Sequence, residues 1–182
     1  MKKMSTLMIA AAVAVAVAAS ALTLSAQATQ DTTIASIRGV HNVVKGYLTK
    51  AAAQVPEDKY KYQPTKDVRT MGQLFGHVAN ASRMICSTAS GMPAGSAGDA
   101  EKLATKAEIV KALNDAMSFC DHALTMITNA NAGEVVDLFG QKHSRIGAMG
   151  FNNAHNFEHY GNIVTYMRMN GMVPPSSGGG GN

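Results

Sequence analysis

The sequence predicts an all-α protein, a four-helix bundle in up-down-down-up order. Three observations carry that expectation. Apolar residues recur at three- and four-residue spacing in four separate segments. Gly, Pro and capping residues punctuate the ends of each segment. The second of the three links is long for antiparallel neighbours, which usually need about 2–8 residues. Helices two and three are therefore expected to run parallel, and no stretch reads convincingly as sheet.

Ahead of the bundle, residues 1–28 have the form of a secretory signal peptide. Lys2 and Lys3 are its basic start, Leu7 to Ala19 its apolar run, and Ala26-Gln27-Ala28 a small-x-small cleavage site. An uncleaved N-terminal anchor is the alternative. No cysteine directly follows the apolar run, as a lipoprotein anchor would require. Cleavage after Ala28 leaves 154 of the 182 residues, enough for one domain with a substantial core. It also takes the net charge from +4 to +2, because two lysines leave and no acid does. No Lys/Arg cluster with interleaved aromatics supports nucleic-acid binding. No second long apolar stretch follows, so no stable membrane insertion is expected once the signal is removed. The expected location is periplasmic or secreted, and the expected partner a small-molecule substrate. Trp is absent and aromatics are sparse, so Ala, Leu, Ile, Val and many Met must build the core.

The first helix is expected from about Asp31 to Val55. Ile34, Ile37, His41, Val44, Leu48, Ala51 and Val55 mark its inner face, Asp31 is a plausible N-cap and Pro56 stops it. Glu57 to Arg69 is polar, contains Pro64 and reads as a loop. The second helix runs from about Thr70 to Ser90. Thr70 and Gln73 form a capping box, and Leu74, Val78, Ala81, Ile85 and Thr88 form its inner stripe. Gly91-Met92-Pro93 ends it, and a Gly/Ala/Ser-rich connector follows to about Ala104. A second capping box, Thr105 with Glu108, opens the third helix. Its buried face is Ile109, Leu113, Ala116, Met117, Cys120, Ala123, Leu124 and Ile127, and Asn129 to Gly133 ends it. Glu134 to Gly140 is short and β-branched, a strand-like loop. The fourth helix spans about Ser144 to Asn170, with Gly171 as its stop and Pro174-Pro175 beyond. The domain is thus expected over 29–175, with a disordered Gly/Ser-rich tail over 176–182.

Cys86 and Cys120 stand at similar depths in helices two and three, 16 residues after Thr70 and 15 after Thr105. In parallel neighbours they would lie at similar heights, as a disulfide requires. An oxidising compartment permits the bond; two buried free thiols are the alternative.

Helix four carries the chemistry. His155 and His159 are separated by four residues, so both rings lie on one face and can share a transition-metal ion. At 100° per residue, Asn152, His155, Asn162 and Tyr166 all fall within 60° of His159. Phe157, Val164 and Ile146 fall on the opposite side. The polar stripe holds no Lys, Arg, Asp or Glu, which suits a lined pocket better than open water. His77, at the edge of the apolar face of helix two, is the best third ligand, with Asn80 one turn on as a partner for a ligand ring. His41 is on the inner face of helix one, as a fourth ligand or a hydrogen-bonded core histidine. His122 and His143 read as surface or helix-end residues. The same His155–His159 stretch also fits the HxxEH motif of inverted zincin peptidases, with Glu158 as general base.

The stretches Tyr60 to Asn80 and His155 to Arg168 resemble the start of the second helix and the last helix of the DinB-like (YfiT-like) superfamily. The resemblance spans roughly Ile34 to Pro175. It implies an up-down-down-up bundle with a divalent metal held by His77, His155 and His159, and it implies that homodimers occur. Some relatives are thiol-dependent transferases or isomerases; others are metal-dependent hydrolases.

Three functions follow as expectations. The first is an exported metal-dependent hydrolase in which three imidazoles leave a position for water, whose pKa the ion lowers. Tyr166, Asn152 and Asn162 would orient substrate and Glu158 would act as base. Zinc is the default ion; nickel, iron or manganese also suit nitrogen and water ligands. The second is a metal-dependent thiol S-transferase, for which Arg83, Arg145 and Arg168 are the candidate anion-binding cations. The third is a non-catalytic periplasmic binding bundle.

Overall fold

The computed structural model describes residues 31–178. The expected signal peptide and the last four residues of the tail lie outside them. α1 covers residues 31–54. α2 is Met71–Ser90, α3 Lys106–Thr125 and α4 Arg145–Met169. 3-10 turns over Glu57–Lys61 and Ala100–Lys102 break up the first two links. No helix among the described residues is long and apolar enough to cross a membrane.

The caps do what the sequence implied. Thr70 and Thr105 each accept from the backbone N–H three residues on, while Gln73 and Glu108 reach back to the cap N–H. Ser144 caps α4 through Gly147 N–H. These bonds satisfy donors that the first helical turn leaves without partners. Gly91 closes α2 with φ +77°, a left-handed conformation that costs glycine nothing.

Side-chain contacts fix the helix directions. Ser82 meets Asn156 and Arg145 reaches the Ala89 carbonyl, so α2 and α4 run antiparallel. His41 meets Asp121 while Lys106 reaches the Val55 carbonyl, so α1 and α3 run antiparallel. Asn153 donates to Ile37 O and Tyr160 stacks on Tyr47, so α1 and α4 run parallel. The order is up-down-down-up. Parallel α2 and α3 place Cys86 and Cys120 with Cα atoms 5.3 Å apart, joined as a disulfide.

Three local differences from the sequence reading appear. α3 ends at Thr125, and Ile127 is buried just beyond the helix rather than on it. The strand-like loop is half of a hairpin: Val135–Leu138 (β1) pairs antiparallel with Gln141–Ser144 (β2) around Phe139-Gly140. The polar sequence of β2 gave no strand pattern, since neither of its faces enters the core. Ser176–Gly178, expected in the disordered tail, form a turn instead. Tyr160 Oη accepts from Ser176 N–H, and Ser177 N–H bonds the Pro174 carbonyl.

The core is split. One apolar cluster gathers Val44, Leu48, Met71, Phe75, Leu113, Met117, Ile163 and Met167. The other gathers Ile34, Ile85, the disulfide, Leu124, Leu138, Ala148 and Met149. Between them α4 turns its polar stripe inward: Asn152, Asn153, Asn156 and His159 are buried, while Phe151 and Phe157 are exposed. Phe151 and Phe157 thus lie off the core side of α4, while its Ala148, Met149, Ile163 and Met167 enter the two clusters.

Candidate metal centre

α2 brings His77, and two successive turns of α4 bring His155 and His159, to one point of the α2/α4 seam. His155 Nε2 lies 3.1 Å from His159 Nε2 and 3.3 Å from His77 Nε2. One ligand atom from each ring lies within 4.8 Å of the other two. Nitrogens bound to one ion at about 2.0–2.1 Å stand roughly 2.9–3.4 Å apart for bond angles between square and tetrahedral. The donor set and the two measured separations fit a divalent transition metal.

The electrostatics suit the same reading. Burial, then the neighbouring His155 and His77, lowers the His159 pKa to about 4. Burial and His77 also push His155 below its ordinary value. Both rings are neutral at pH 7, with lone pairs ready for a cation. His159 Nδ1 is buried and unpartnered.

The partner of a ligand ring is one that the sequence reading missed. Glu101 Oε1 lies 2.9 Å from His77 Nδ1, and its Oε2 accepts from Arg69 Nε at 2.9 Å. Burial opposes ionisation of Glu101, but the Arg69 and His77 hydrogen bonds outweigh it and hold the group below its usual carboxylate range. An ionised carboxylate only accepts, so the His77 proton sits on Nδ1 and Nε2 keeps its lone pair. Glu101 arrives on the long connector. Asn80, expected beside a ligand ring, instead clamps that connector, accepting from Ala100 N–H and donating to Asp99. A capping-type Asp-x-Glu just before the third helix was the available signal, but no local pattern links residue 101 to residue 77.

A cavity of about 720 Å³ opens beside His159, lined by Gln63, Lys66, Arg69, Gln73, Glu158, Asn162 and Tyr166, among others. Glu158 and Asn162 are exposed on its wall. The Tyr166 hydroxyl donates to the Arg69 carbonyl at 3.0 Å, which fixes the wall rather than leaving the group free. Asn152 is fully buried and does not line this cavity. Nor do Arg83, Arg145 or Arg168; the cations present are Lys66 and Arg69. Arg83 sits over the Phe119 ring, Arg145 pairs with Glu134, and Arg168 bonds Ser177. His41 is a core histidine held by Asp121 at 3.0 Å, not a fourth member of the cluster. His122 is exposed in the last turn of α3, and His143 lies in β2 against Phe151.

An antiparallel α2/α4 pair that presents three convergent imidazoles defines a helical-bundle protein with a candidate metal centre. The family model described as the DinB superfamily matches residues 44–163, and the chain belongs to that superfamily. Two crystal structures of DinB-like proteins share the fold. The one from Bacillus subtilis superposes with TM-score 0.61 at 16% identity, covering 76% of this chain and 93% of its own. The one from Bacillus cereus gives 0.60 at 16%, covering 72% and 89%. No curated protein matches the chain.

Proposed function

We propose that the protein is an exported, metal-dependent hydrolase of small molecules. The observation that carries this reading is the convergence of His77, His155 and His159 at the edge of an open cavity. His77, His155 and His159 would hold a divalent ion there, with zinc as the default, and it would supply Lewis-acid chemistry for activating water. Three protein ligands leave a position for that water.

The chain's own residues divide the remaining work. Glu101 fixes the His77 tautomer. Glu158, exposed on the wall of the cavity that His159 also lines and in no ion pair among the described residues, would accept a proton from the attacking water. Gln63, Gln73 and Asn162 offer amides for orienting a polar substrate group, and Lys66 and Arg69 favour an acidic one. On the other side of His155, one helical turn away, Phe151 is exposed and packs against Phe139 at 5.8 Å between ring centroids. That pair offers an apolar surface within about 6 Å of helix rise from the centre.

The same two cations support a second reading, a thiol S-transferase whose cosubstrate carries a carboxylate. Elemental analysis of purified mature protein, with His77→Ala and His155→Ala, tests the centre; equal trace metal in all three sinks it. Ester, amide and thiol-transfer assays with and without chelator separate the two activities. N-terminal mass determination of the protein made in its host tests removal of residues 1–28.

A further inference from the structure

The layer that separates the two apolar clusters is polar on three of the four helices. α1 contributes His41, α2 Ser82, and α4 Asn152, Asn153 and Asn156; all five are buried. The Asn153–Ile37 bond sets the α1/α4 register, and one turn further along both helices His41 comes level with Asn156. The Ser82 hydroxyl donates to Asn156 Oδ1 at 3.1 Å, which ties α2 into the same level. Asn156 directly follows His155, and Asn152 lies one turn before it, so the layer abuts the histidine centre. Its other end reaches the surface: His41 Nε2 lies 3.0 Å from Asp121 Oδ1, and Lys45 Nζ bonds both oxygens of that half-exposed carboxylate.

Inside this layer hydrogen-bonding capacity is unused. His41 Nδ1, both polar atoms of Asn152, Asn153 Oδ1 and Asn156 Nδ2 are buried without protein partners. Buried polar atoms are nearly always satisfied, and a leftover set this concentrated in one slab has the composition of an internal water site, with donors and acceptors on several walls.

We propose that internal waters held by His41, Asn152, Asn153 and Asn156 cross the bundle core and carry protons between the histidine centre and Asp121. The proton-carrying half of this rests on the metal-centre reading; the hydration does not. A proton released at the centre passes to the nearest water, and each water accepts one and hands one on. His41 takes a proton at Nδ1 and gives up the one on Nε2 to Asp121, from which it leaves to solvent. The charged groups packed against His41 are Asp121 from α3 and Lys45 from its own helix; α2 and α4 present only neutral groups in this layer. The route leaves the bundle by the α1/α3 face, opposite the α2/α4 seam.

Nitrogen-15 NMR of the mature protein tests this in two steps. The side-chain amide protons of Asn152 and Asn156 should show cross-relaxation to long-lived water; their absence overturns the proposal. Zinc ion should then shift the titration midpoint of His41 by at least about half a unit, although His41 is not a ligand. Asn152→Leu, which fills the layer with an apolar group, should abolish that shift while leaving zinc affinity within about twofold. A His41 midpoint that ignores zinc, or that moves equally in Asn152→Leu, overturns the proton path. Should the variant fail to fold, the wild-type water signals and wild-type zinc response decide it. Failure of zinc to bind at all would sink the metal-centre reading and the proton path with it. Zinc binding without water signals would sink the inference alone.

Discussion

Gly76 and Ala100 stand closer than any side chain at residue 76 would permit. A Cβ there would lie 2.5 Å from the Ala100 carbonyl oxygen and 2.8 Å from the Glu101 nitrogen. The bare α2 backbone lets the connector settle onto the helix one residue before His77. That contact, with the Asn80 clamp, places the Glu101 carboxylate on the His77 ring.

Gly76→Ala should therefore act at a distance. It leaves all three imidazoles in place but lifts Glu101 away. Zinc affinity is expected to fall roughly 10–100-fold, the usual cost of losing the partner of a ligand ring. Glu101→Gln should weaken binding in the same direction with little change in global stability. Competition with a chelating dye measures both; unchanged affinity in the two variants would remove Glu101 from the centre.

Removing a ligand should be more severe. His155→Ala and His159→Ala are each expected to lower metal affinity on the order of a hundredfold or more. Because burial keeps both rings neutral and resists their protonation, the metal-free variants should fold at least as well as wild type at pH 5. Calorimetric titration and thermal melts read the two effects separately.

The metal-free protein should lose stability in acid over a defined window. An imidazole in the unfolded chain binds a proton near pH 6.5, whereas His159 in the fold does so only near 4. The unfolded state thus holds more protons between those values, and stability, full above about pH 6.5, falls as pH drops toward 4. The loss from His159 is on the order of 3 kcal/mol, with His155 adding in the same direction. Melts of chelator-treated protein between pH 8 and 4 check this; a flat midpoint would contradict it.

Reduction of Cys86–Cys120 opens a loop with a sequence separation of 34. The expected cost is about 3–4 kcal/mol. Both cysteines are fully buried in the apolar cluster with Ile85 and Leu124, so reduction should require partial unfolding. Denaturant curves with and without reductant give the difference. A stability change below about 1 kcal/mol would show the bond to be structurally idle.

Phe139 occupies the first turn position of the hairpin with φ 54°, and Gly140 follows at 76°. Asn-Gly is the favoured pair for two positive φ values. Phe139→Asn should raise stability by about 0.5–1 kcal/mol while removing half of the exposed aromatic pair beside the centre. A loss of stability would mean that the Phe139–Phe151 contact outweighs the backbone cost.

Much of this protein was legible residue by residue. Capping boxes at Thr70 and Thr105, glycine at 91 and 171 and prolines at 56 and 93 delimit the helices because they act on their own backbone neighbours. The length of the second link gave the up-down-down-up order, since a short turn cannot connect parallel helices. The i,i+4 spacing placed His155 and His159 on one face, and the uncharged stripe around them marked that face as sheltered. An edge position on the apolar face of the second helix made His77 the best third ligand, and the family resemblance implied the same set.

Other features needed the fold. Glu101 reaches His77 across 24 residues through a backbone contact that only Gly76 allows, and Lys66 and Arg69 reach the cavity because their loop wraps beside α4. The burial of individual α4 residues needed the fold too: Phe151 and Phe157 lie outward and Asn152, Asn153 and Asn156 inward, because the neighbouring helices leave a polar layer for them to fill. Local patterns fix local structure since their causes are backbone bonds and side-chain spacing within a turn or two. Which distant group completes a site depends on how closely two helices or a loop can approach, and that is settled by packing in three dimensions.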